Sequence, residues 1–154
     1  MAYSLIDTSS ATKTASRTYT TYAASNAFDG NTGTWWWCPW PPDSSDWLKI
    51  DFGGAAKTVT QIKLYHSDTV TLTGNLDGSN NNTDWTTIDT FSHAATDTWY
   101  TEEFSNSTAY RYYRIVGTGT GGNWWKVHEW ELYETVIETV VKDIIGGGFI
   151  PFAR

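Results

Sequence analysis

Short segments in which apolar and polar residues alternate recur along this chain, and each is bounded by Gly, Asn, Asp or Pro. In residues 47–52 (WLKIDF), for example, Leu48 and Ile50 fall on one face and Lys49 falls on the other. Similar segments lie at residues 60–66, 69–74, 84–89, 98–104, 110–116 and 124–133. Alternation with a period of two, punctuated by turn residues, predicts antiparallel strands with one face toward a core. The pattern therefore predicts an all-β fold, an antiparallel β-sandwich or jelly roll of about eight strands.

The alternation slips in the last of these segments. Val127 is followed by Trp130 and Leu132, so the apolar positions are one residue out of phase. A β-bulge adds one residue to a strand and re-aims the side chains beyond it. We therefore expect a bulge near His128 and Glu129.

The C-terminal part of the chain has a different pattern. Its apolar residues come in pairs nearly four positions apart, namely Val136/Ile137, Val140/Val141 and Ile144/Ile145. This spacing favours an amphipathic helix ended by the glycines at 146–148, but Val, Ile and Thr are poor helix formers, so a strand stays open. We divide the chain into a sandwich of residues 1–134 and a tail of residues 135–154. The apolar tail is expected to dock on a partner or another subunit.

Charge and composition limit the possible partners and compartments. The net charge is −7, so the chain is not suited to the phosphate backbone of nucleic acids. No apolar run is long enough to span a bilayer. Residues 1–13 lack the basic and apolar regions of a signal peptide, and Cys38 is the single cysteine. We therefore expect a protein that is made in a cytoplasm and stays soluble.

Tryptophan is concentrated in residues 31–42, where Trp35, Trp36, Trp37 and Trp40 stand among three prolines. Proline disrupts regular strands, so these four indoles cannot all belong to a regular core. Some of them should therefore have a role other than packing.

Five segments of the chain carry sequence motifs that follow one another in the order found in a known family of domains. Residues 24–36 (ASNAFDGNTGTWW) contain an Asn-Ala-Phe-Asp-Gly turn before T-x-W, and residues 47–65 begin with a Trp-hydrophobic-x-hydrophobic-Asp-Phe-Gly strand. The other three lie at residues 72–88, 110–117 and 126–134. Together they resemble the discoidin family, also called coagulation-factor type C domains, and within it the family-32 carbohydrate-binding modules. Leu76 stands where that family usually has Asn, and the disulfide of many extracellular members is absent.

The resemblance sorts the tryptophans. It implies that Trp36 lies in the core, and we expect the same of Trp47, Trp85 and Trp130. It also implies that ligands bind to loops at one tip of the sandwich. The indoles left for such loops are Trp35, Trp37, Trp40 and Trp124.

Exposed indoles suit sugars, because the apolar face of a pyranose stacks on the ring while a few polar groups orient its hydroxyls. We expect His66 and Asn123 to be such polar partners. Two other roles stay open for these tryptophans. They could form a contact between subunits, or they could simply pack within the chain.

The resemblance also implies a structural Ca²⁺ ion enclosed by the Asn-Ala-Phe-Asp-Gly turn and a late glutamate. The residues are the Phe28 carbonyl, Asp29, Asn31, Thr34 and Glu129. Oxygen donors of this kind are the ligands that Ca²⁺ prefers, although the same sequence is also an ordinary turn.

Catalysis is not expected. The three histidines show no metal-binding spacing, and the adjacent Glu102 and Glu103 should point to opposite faces of a strand. A carboxylate pair of that kind cannot flank a glycosidic bond.

A sugar-binding fold implies work outside the cell, whereas the N-terminus and the lone thiol imply synthesis inside it. Both hold if the protein is released by lysis as part of a virus particle. We therefore predict a non-catalytic carbohydrate-binding module of a bacteriophage virion that adheres to host glycans, a homo-oligomer anchored to other virion proteins by residues 135–154. The alternative is a structural decoration or assembly protein of the head, tail or fibre. Lipid binding is disfavoured by the acidic charge.

Overall fold

The computed structural model describes residues 1–39, 45–66, 71–94, 97–118 and 125–137. These residues form eleven strands and one 3-10 helix, Ala24–Phe28, which confirms the predicted all-β antiparallel sandwich. The strands are β1 Ala2–Leu5, β2 Thr12–Ala15, β3 Trp36–Cys38, β4 Trp47–Asp51, β5 Gln61–His66, β6 Leu72–Ser79, β7 Thr86–His93, β8 Thr98–Glu103, β9 Tyr112–Gly117, β10 Trp125–Val127 and β11 Glu129–Val136.

The strands form two main antiparallel sheets. One has four strands in the order β1-β11-β5-β8, and the other has five in the order β2-β4-β9-β6-β7. The short strands β10 and β3 pair separately. β1 and β11 meet through the pair Ala2↔Val136, at the far end of β11 from Glu129.

The core lies between the two main sheets. Side chains from both sheets are at most 1% exposed there, among them Leu48, Ile50, Ile62, Leu64, Ile115, Trp130 and Leu132. Trp36 of β3 is also fully buried, so the core positions expected for Trp36 and Trp130 are confirmed.

The core positions expected for Trp47 and Trp85 are wrong. Both side chains are only partly buried, and each carries a basic group over its ring. Lys49 Nζ lies 4.6 Å from the Trp47 ring centroid, and Arg114 Cζ lies 4.0 Å from that of Trp85. Cation–π contacts with these basic groups take the place of the apolar side chains that would surround each ring in a core.

The slip in the last segment has a different cause from the one predicted. Val127 ends β10, which pairs with β3, and Glu129 begins β11, which pairs with β5. The chain bends at His128 between the two strands, so the phase changes because the pairing partner changes.

The sandwich extends slightly further than the predicted boundary at residue 134. Thr135 and Val136 continue β11 and pair with Tyr3 and Ala2. The helix considered for the tail of residues 135–154 therefore does not include Thr135 and Val136. Residues 138–154 lie outside the described residues, and the choice between helix and strand there stays open.

Gly78 of β6 lies directly against the ring of Tyr110. A Cβ at this position would stand 2.4 Å from Tyr110 Cδ2, which is closer than any van der Waals contact. We expect Gly78→Ala to lower the free energy of unfolding by about 1–3 kcal/mol, the usual cost of overpacking. Urea unfolding, followed by tryptophan fluorescence, measures this loss in the free energy of unfolding. Gly54→Ala is the control, since a Cβ there meets nothing within 4 Å, and an equal loss in both variants would contradict the prediction.

Candidate functional site

Strand ends from both sheets lie at one end of the sandwich, which we call the apical end. The register places Trp47 opposite Val116, Leu72 opposite His93 and His66 opposite Thr98. These ends are close in space, because His93 of the five-stranded sheet stacks on Tyr100 of the four-stranded sheet, with 4.3 Å between ring centroids.

In sequence, the apical strand ends adjoin residues 40–44, 67–70, 95–96 and 119–124, which lie outside the described residues. Three predicted sugar contacts fall in these segments: Trp40, Asn123 and Trp124. Their roles stay predictions.

Trp35 and Trp37 lie together beside the apical end. Because successive side chains of a strand point in opposite directions, Trp36 enters the core and its two neighbours point away from it. The Tyr19 amide donates to the Trp37 carbonyl at 2.8 Å, and the Trp37 amide donates to the Tyr22 carbonyl at 3.4 Å. Trp37 is therefore part of a hydrogen-bonded strand, where a loop position was predicted.

Two tyrosines pack against these indoles. Tyr22 stacks on Trp35 with centroids 5.1 Å apart and meets Trp37 edge-on at 5.0 Å, while Tyr19 lies 4.8 Å from Trp37. We call Tyr19, Tyr22, Trp35 and Trp37 the indole cluster. Contacts of this kind fix the orientation of the rings. Both tryptophans are half-buried, so part of each residue remains accessible at the surface.

The exposed side-chain atoms of both tryptophans are carbon. Trp35 Nε1 and Trp37 Nε1 are buried, and an indole carries no other polar atom. Lys126 supplies a charge beside them, because the β10–β3 register places it opposite Trp37. Its Nζ lies 4.5 Å from the Trp37 centroid and 5.8 Å from that of Trp35. The cluster thus combines a hydrocarbon surface with a hydrogen-bond donor.

An ion pair between Arg17, whose side chain is 40% exposed, and the buried Asp46 supports the chain next to the cluster. Asp46 is fully buried and accepts hydrogen bonds from Arg17 Nε at 2.7 Å and from the Ser16 hydroxyl at 3.0 Å. Arg17 Nη2 also bonds its second carboxylate oxygen. The Arg17 carbonyl in turn accepts from Trp36 Nε1 at 3.1 Å. Sequence reasoning missed Arg17, Asp46 and Lys126, because only the pairing of distant strands brings them to this site.

His66 does not lie with the indole cluster. Its side chain is 1% exposed and points between the sheets, where its ring stacks on Tyr100 at 5.5 Å. Tyr100 also stacks on His93, whose Nε2 lies 2.7 Å from a carboxylate oxygen of Glu102. In this arrangement His66 does not reach the surface, so the expectation that it orients a bound sugar is not supported by its position.

The predicted calcium residues do come together, although they are distant in sequence. The amide of Asn31 donates to Asp29 Oδ1 at 2.9 Å and to Glu129 Oε1 at 2.7 Å, across 98 residues. Thr34 Oγ1 donates to Asp29 Oδ2 at 2.7 Å, and Gly30 takes a φ of +76° that lets the chain turn back.

The Glu129 carboxylate lies in a poorly solvated position, whereas Asp29 beside it is exposed. Glu129 is 3% exposed, and burial first, then the neighbouring Asp29, raises the pKa of Glu129 to about 7. An adjoining groove of about 280 Å³ is also lined by Asp7 and Glu131.

This donor set fits a calcium ion. Two carboxylates and the side-chain oxygens of Asn31 and Thr34 are hard donors, and a divalent cation would offset the charge that burial disfavours. In the described part of the chain, no group of three or more His, Cys, Asp or Glu side chains converges, so the charged ligands of this site are two carboxylates. The ring of Phe28 packs on Trp130 at 5.4 Å, and the role expected of its carbonyl stays a prediction.

The family comparison agrees with this architecture. The model of the F5/8 type C domain matches residues 8–131. The chain belongs to the F5/8 type C domain family. The resemblance to coagulation-factor type C domains noted from the sequence is thereby confirmed. The comparison with curated proteins finds no match.

Solved structures share the sandwich of this F5/8 type C chain. The family 32 carbohydrate-binding module of NanJ from Clostridium perfringens, in complex with galactose, is 21% identical, with a TM-score of 0.73 over 86% of this chain and 100% of its own. The corresponding module of AlyQ, in complex with 4,5-unsaturated mannuronic acid, is 24% identical, with a TM-score of 0.70 over 86% and 99%. A chitosan-binding module of a Paenibacillus sp. IK-5 chitosanase/glucanase is 26% identical, with a TM-score of 0.67 over 81% and 95%. At these identities the likeness establishes the fold.

Where the structure describes this F5/8 type C chain, it contains no helix long and apolar enough to cross a bilayer. Glu102 and Glu103 have separate partners, since Glu102 meets His93 and Glu103 accepts from Gln61 at 3.0 Å. This agrees with the expectation that they point to opposite faces.

Proposed function

We propose that this chain is a non-catalytic carbohydrate-binding module and that the indole cluster at its apical end contacts the sugar. The observation that carries the proposal is that the side chains of Trp35 and Trp37 pack against tyrosine rings and expose only carbon. A pyranose offers an apolar face of C–H groups that such a surface can cover. The sugars seen with structures of the same fold support this reading.

Lys126 gives the site a polar group in a defined position. Its amine lies over the Trp37 ring, where it can donate hydrogen bonds to hydroxyl or carboxylate oxygens of a sugar held against that indole. Trp40, Asn123 and Trp124 adjoin the same end of the sandwich in sequence. We propose them as further contacts on that basis.

We expect Trp37→Ala to weaken glycan binding by about tenfold or more, because a hot-spot aromatic contributes more than about 1.4 kcal/mol. A glycan microarray identifies a ligand for the wild-type protein, and isothermal titration calorimetry then compares the variants. Trp85→Ala is the matched control, since Trp85 is also half-buried under a cation but lies away from the apical end. Equal losses in both variants, or no loss in Trp37→Ala, would refute the assignment.

We also propose that Asp29, Asn31, Thr34 and Glu129 hold a structural Ca²⁺ ion. The proposal is supported by the convergence of two carboxylates on the Asn31 amide and by the hard donors around them. The ion would tie the turn after the 3-10 helix to the start of β11, with no part in chemistry.

We also propose that the protein is part of a virion and that residues 135–154 dock on other virion proteins. The support for both proposals is the sequence alone. Deleting residues 138–154 should leave glycan affinity unchanged and abolish incorporation into phage particles, as measured by mass spectrometry of purified virions. A protein found in the host cytosol and never in particles would contradict this setting. If oligomers form through the aromatic rings and no glycan binds, the alternative of an assembly protein is favoured.

A further inference from the structure

A second pair of aromatic rings lies on the outer face of the four-stranded sheet. Tyr65 of β5 and Trp99 of β8 are register partners, and their ring centroids are 5.6 Å apart. Trp99 is 39% exposed, which is unusual for the largest apolar side chain on an outermost strand. We call Tyr65 and Trp99 the edge pair.

His128 connects the edge pair to the indole cluster. Its ring lies 5.9 Å from that of Tyr65 and 5.0 Å from that of Trp35. The His128 amide donates to the Tyr65 carbonyl at 3.0 Å, and its Nδ1 lies 2.8 Å from the Thr32 carbonyl oxygen. The imidazole is 6% exposed, so it acts as a fixed spacer beneath the surface.

Two exposed aromatic surfaces thus lie at a fixed separation. Tyr19 is 37% exposed at one end of the row of rings, and Trp99 is 39% exposed at the other. Because the buried imidazole of His128 separates them, a single sugar ring cannot cover both. A chain of linked sugars can, since it presents a C–H face at each of several positions.

We propose that the edge pair is a second sugar subsite, so that the ligand is an extended glycan bound along its chain and not only a single terminal sugar. This inference rests on the proposed function of the indole cluster. Trp99 is then the side chain whose contact makes the affinity depend on the number of linked sugars. Linking two weak contacts on one ligand raises affinity without changing either contact.

The test compares Trp99→Ala with the wild-type protein by isothermal titration calorimetry, using galactose, mannuronate and chitosan oligomers from monomer upward. We expect wild-type affinity to rise with chain length and Trp99→Ala to lose about tenfold for the longer oligomers. Monomer affinity should be unchanged. Thr101→Ala, an exposed neighbour on the same face of β8, is the matched control, and Trp99→Phe should retain most of the length dependence.

The outcomes separate the two proposals. If Trp37→Ala abolishes binding while Trp99→Ala matches the wild type at every chain length, the edge pair is not a subsite and the proposed function stands. If the wild-type protein binds none of these sugars, and none on a glycan array, both proposals fail. Far-UV circular dichroism and the melting temperature confirm that each variant is folded, which the exposure of Trp99 leads us to expect.

Discussion

The metal-free protein is expected to lose up to about 3 kcal/mol of its free energy of unfolding as the pH rises from about 4.5 to about 7. The cause is Glu129, whose pKa is raised from 4.5 to about 7 by burial and by the neighbouring Asp29. Between these pH values the folded protein keeps a proton on Glu129 that the unfolded chain has released. Stability therefore falls with rising pH in this window and levels off above it.

Calcium should reverse this loss. A divalent cation between Asp29 and Glu129 favours both ionised carboxylates, so it stabilises the folded state most where Glu129 would otherwise be ionised and uncompensated. We expect addition of Ca²⁺ at pH 7.5 to raise the melting temperature and to remove most of the pH dependence.

Urea unfolding in EDTA or in Ca²⁺, at several pH values, measures both effects. Glu129→Gln is the control, since an amide has nearly the shape of the protonated carboxyl and cannot ionise. It should show little of the pH dependence between 4.5 and 7 and a weaker response to Ca²⁺. If the wild type and this variant follow the same pH curve and Ca²⁺ stabilises neither, Glu129 is not the titrating group and the proposed site is wrong.

The second large effect is expected for Arg17→Ala, which should cost about 3 kcal/mol of stability. Asp46 is fully buried, so removing the guanidinium leaves a carboxylate without its bidentate partner in a poorly solvated position. The Ser16 hydroxyl remains but carries no charge. The hydrogen bond from the Trp36 indole N–H to the carbonyl of residue 17 should be retained, because the substitution leaves that backbone carbonyl in place.

Arg111→Ala provides the comparison within the same protein. Arg111 forms the same bidentate geometry with Asp51, at 2.8 and 3.0 Å, but the Asp51 side chain is 23% exposed. Water can solvate the carboxylate that remains, so the loss should be clearly smaller. Denaturant unfolding with both variants measures the difference. Equal losses would show that burial of Asp46 does not set the strength of its pair with Arg17.

Much of the fold follows from the sequence because alternation with a period of two is a local signal. Leu48 and Ile50 are buried and Lys49 is not, as the pattern of β4 predicts. The same alternation puts Trp47 on the face of Lys49 and Asp51, so the core position expected for Trp47 conflicted with the local pattern. The structure places Trp47 on the outer face under Lys49.

The site was less predictable, because its contacts join residues far apart in the chain. Asn31 and Glu129 meet across 98 residues, and only the family resemblance suggested that they would. Lys126 has no local signal at all, since its position over Trp37 depends on the pairing of β10 with β3. The inward position of His66 could have been predicted from β5, because Ile62, Leu64 and His66 alternate on the same buried face.

The pairing of β1 with β11 determines where a linker can be attached to this domain. Ala2 and Val136 pair at the pole opposite the indole cluster, so a linker attached beside either residue points away from the proposed sugar site. Several copies held on one support by such linkers can reach the same polysaccharide surface together. For short flexible linkers, the effective concentration of each further contact is in the millimolar range. Firm attachment by an array therefore does not require tight binding by any one copy.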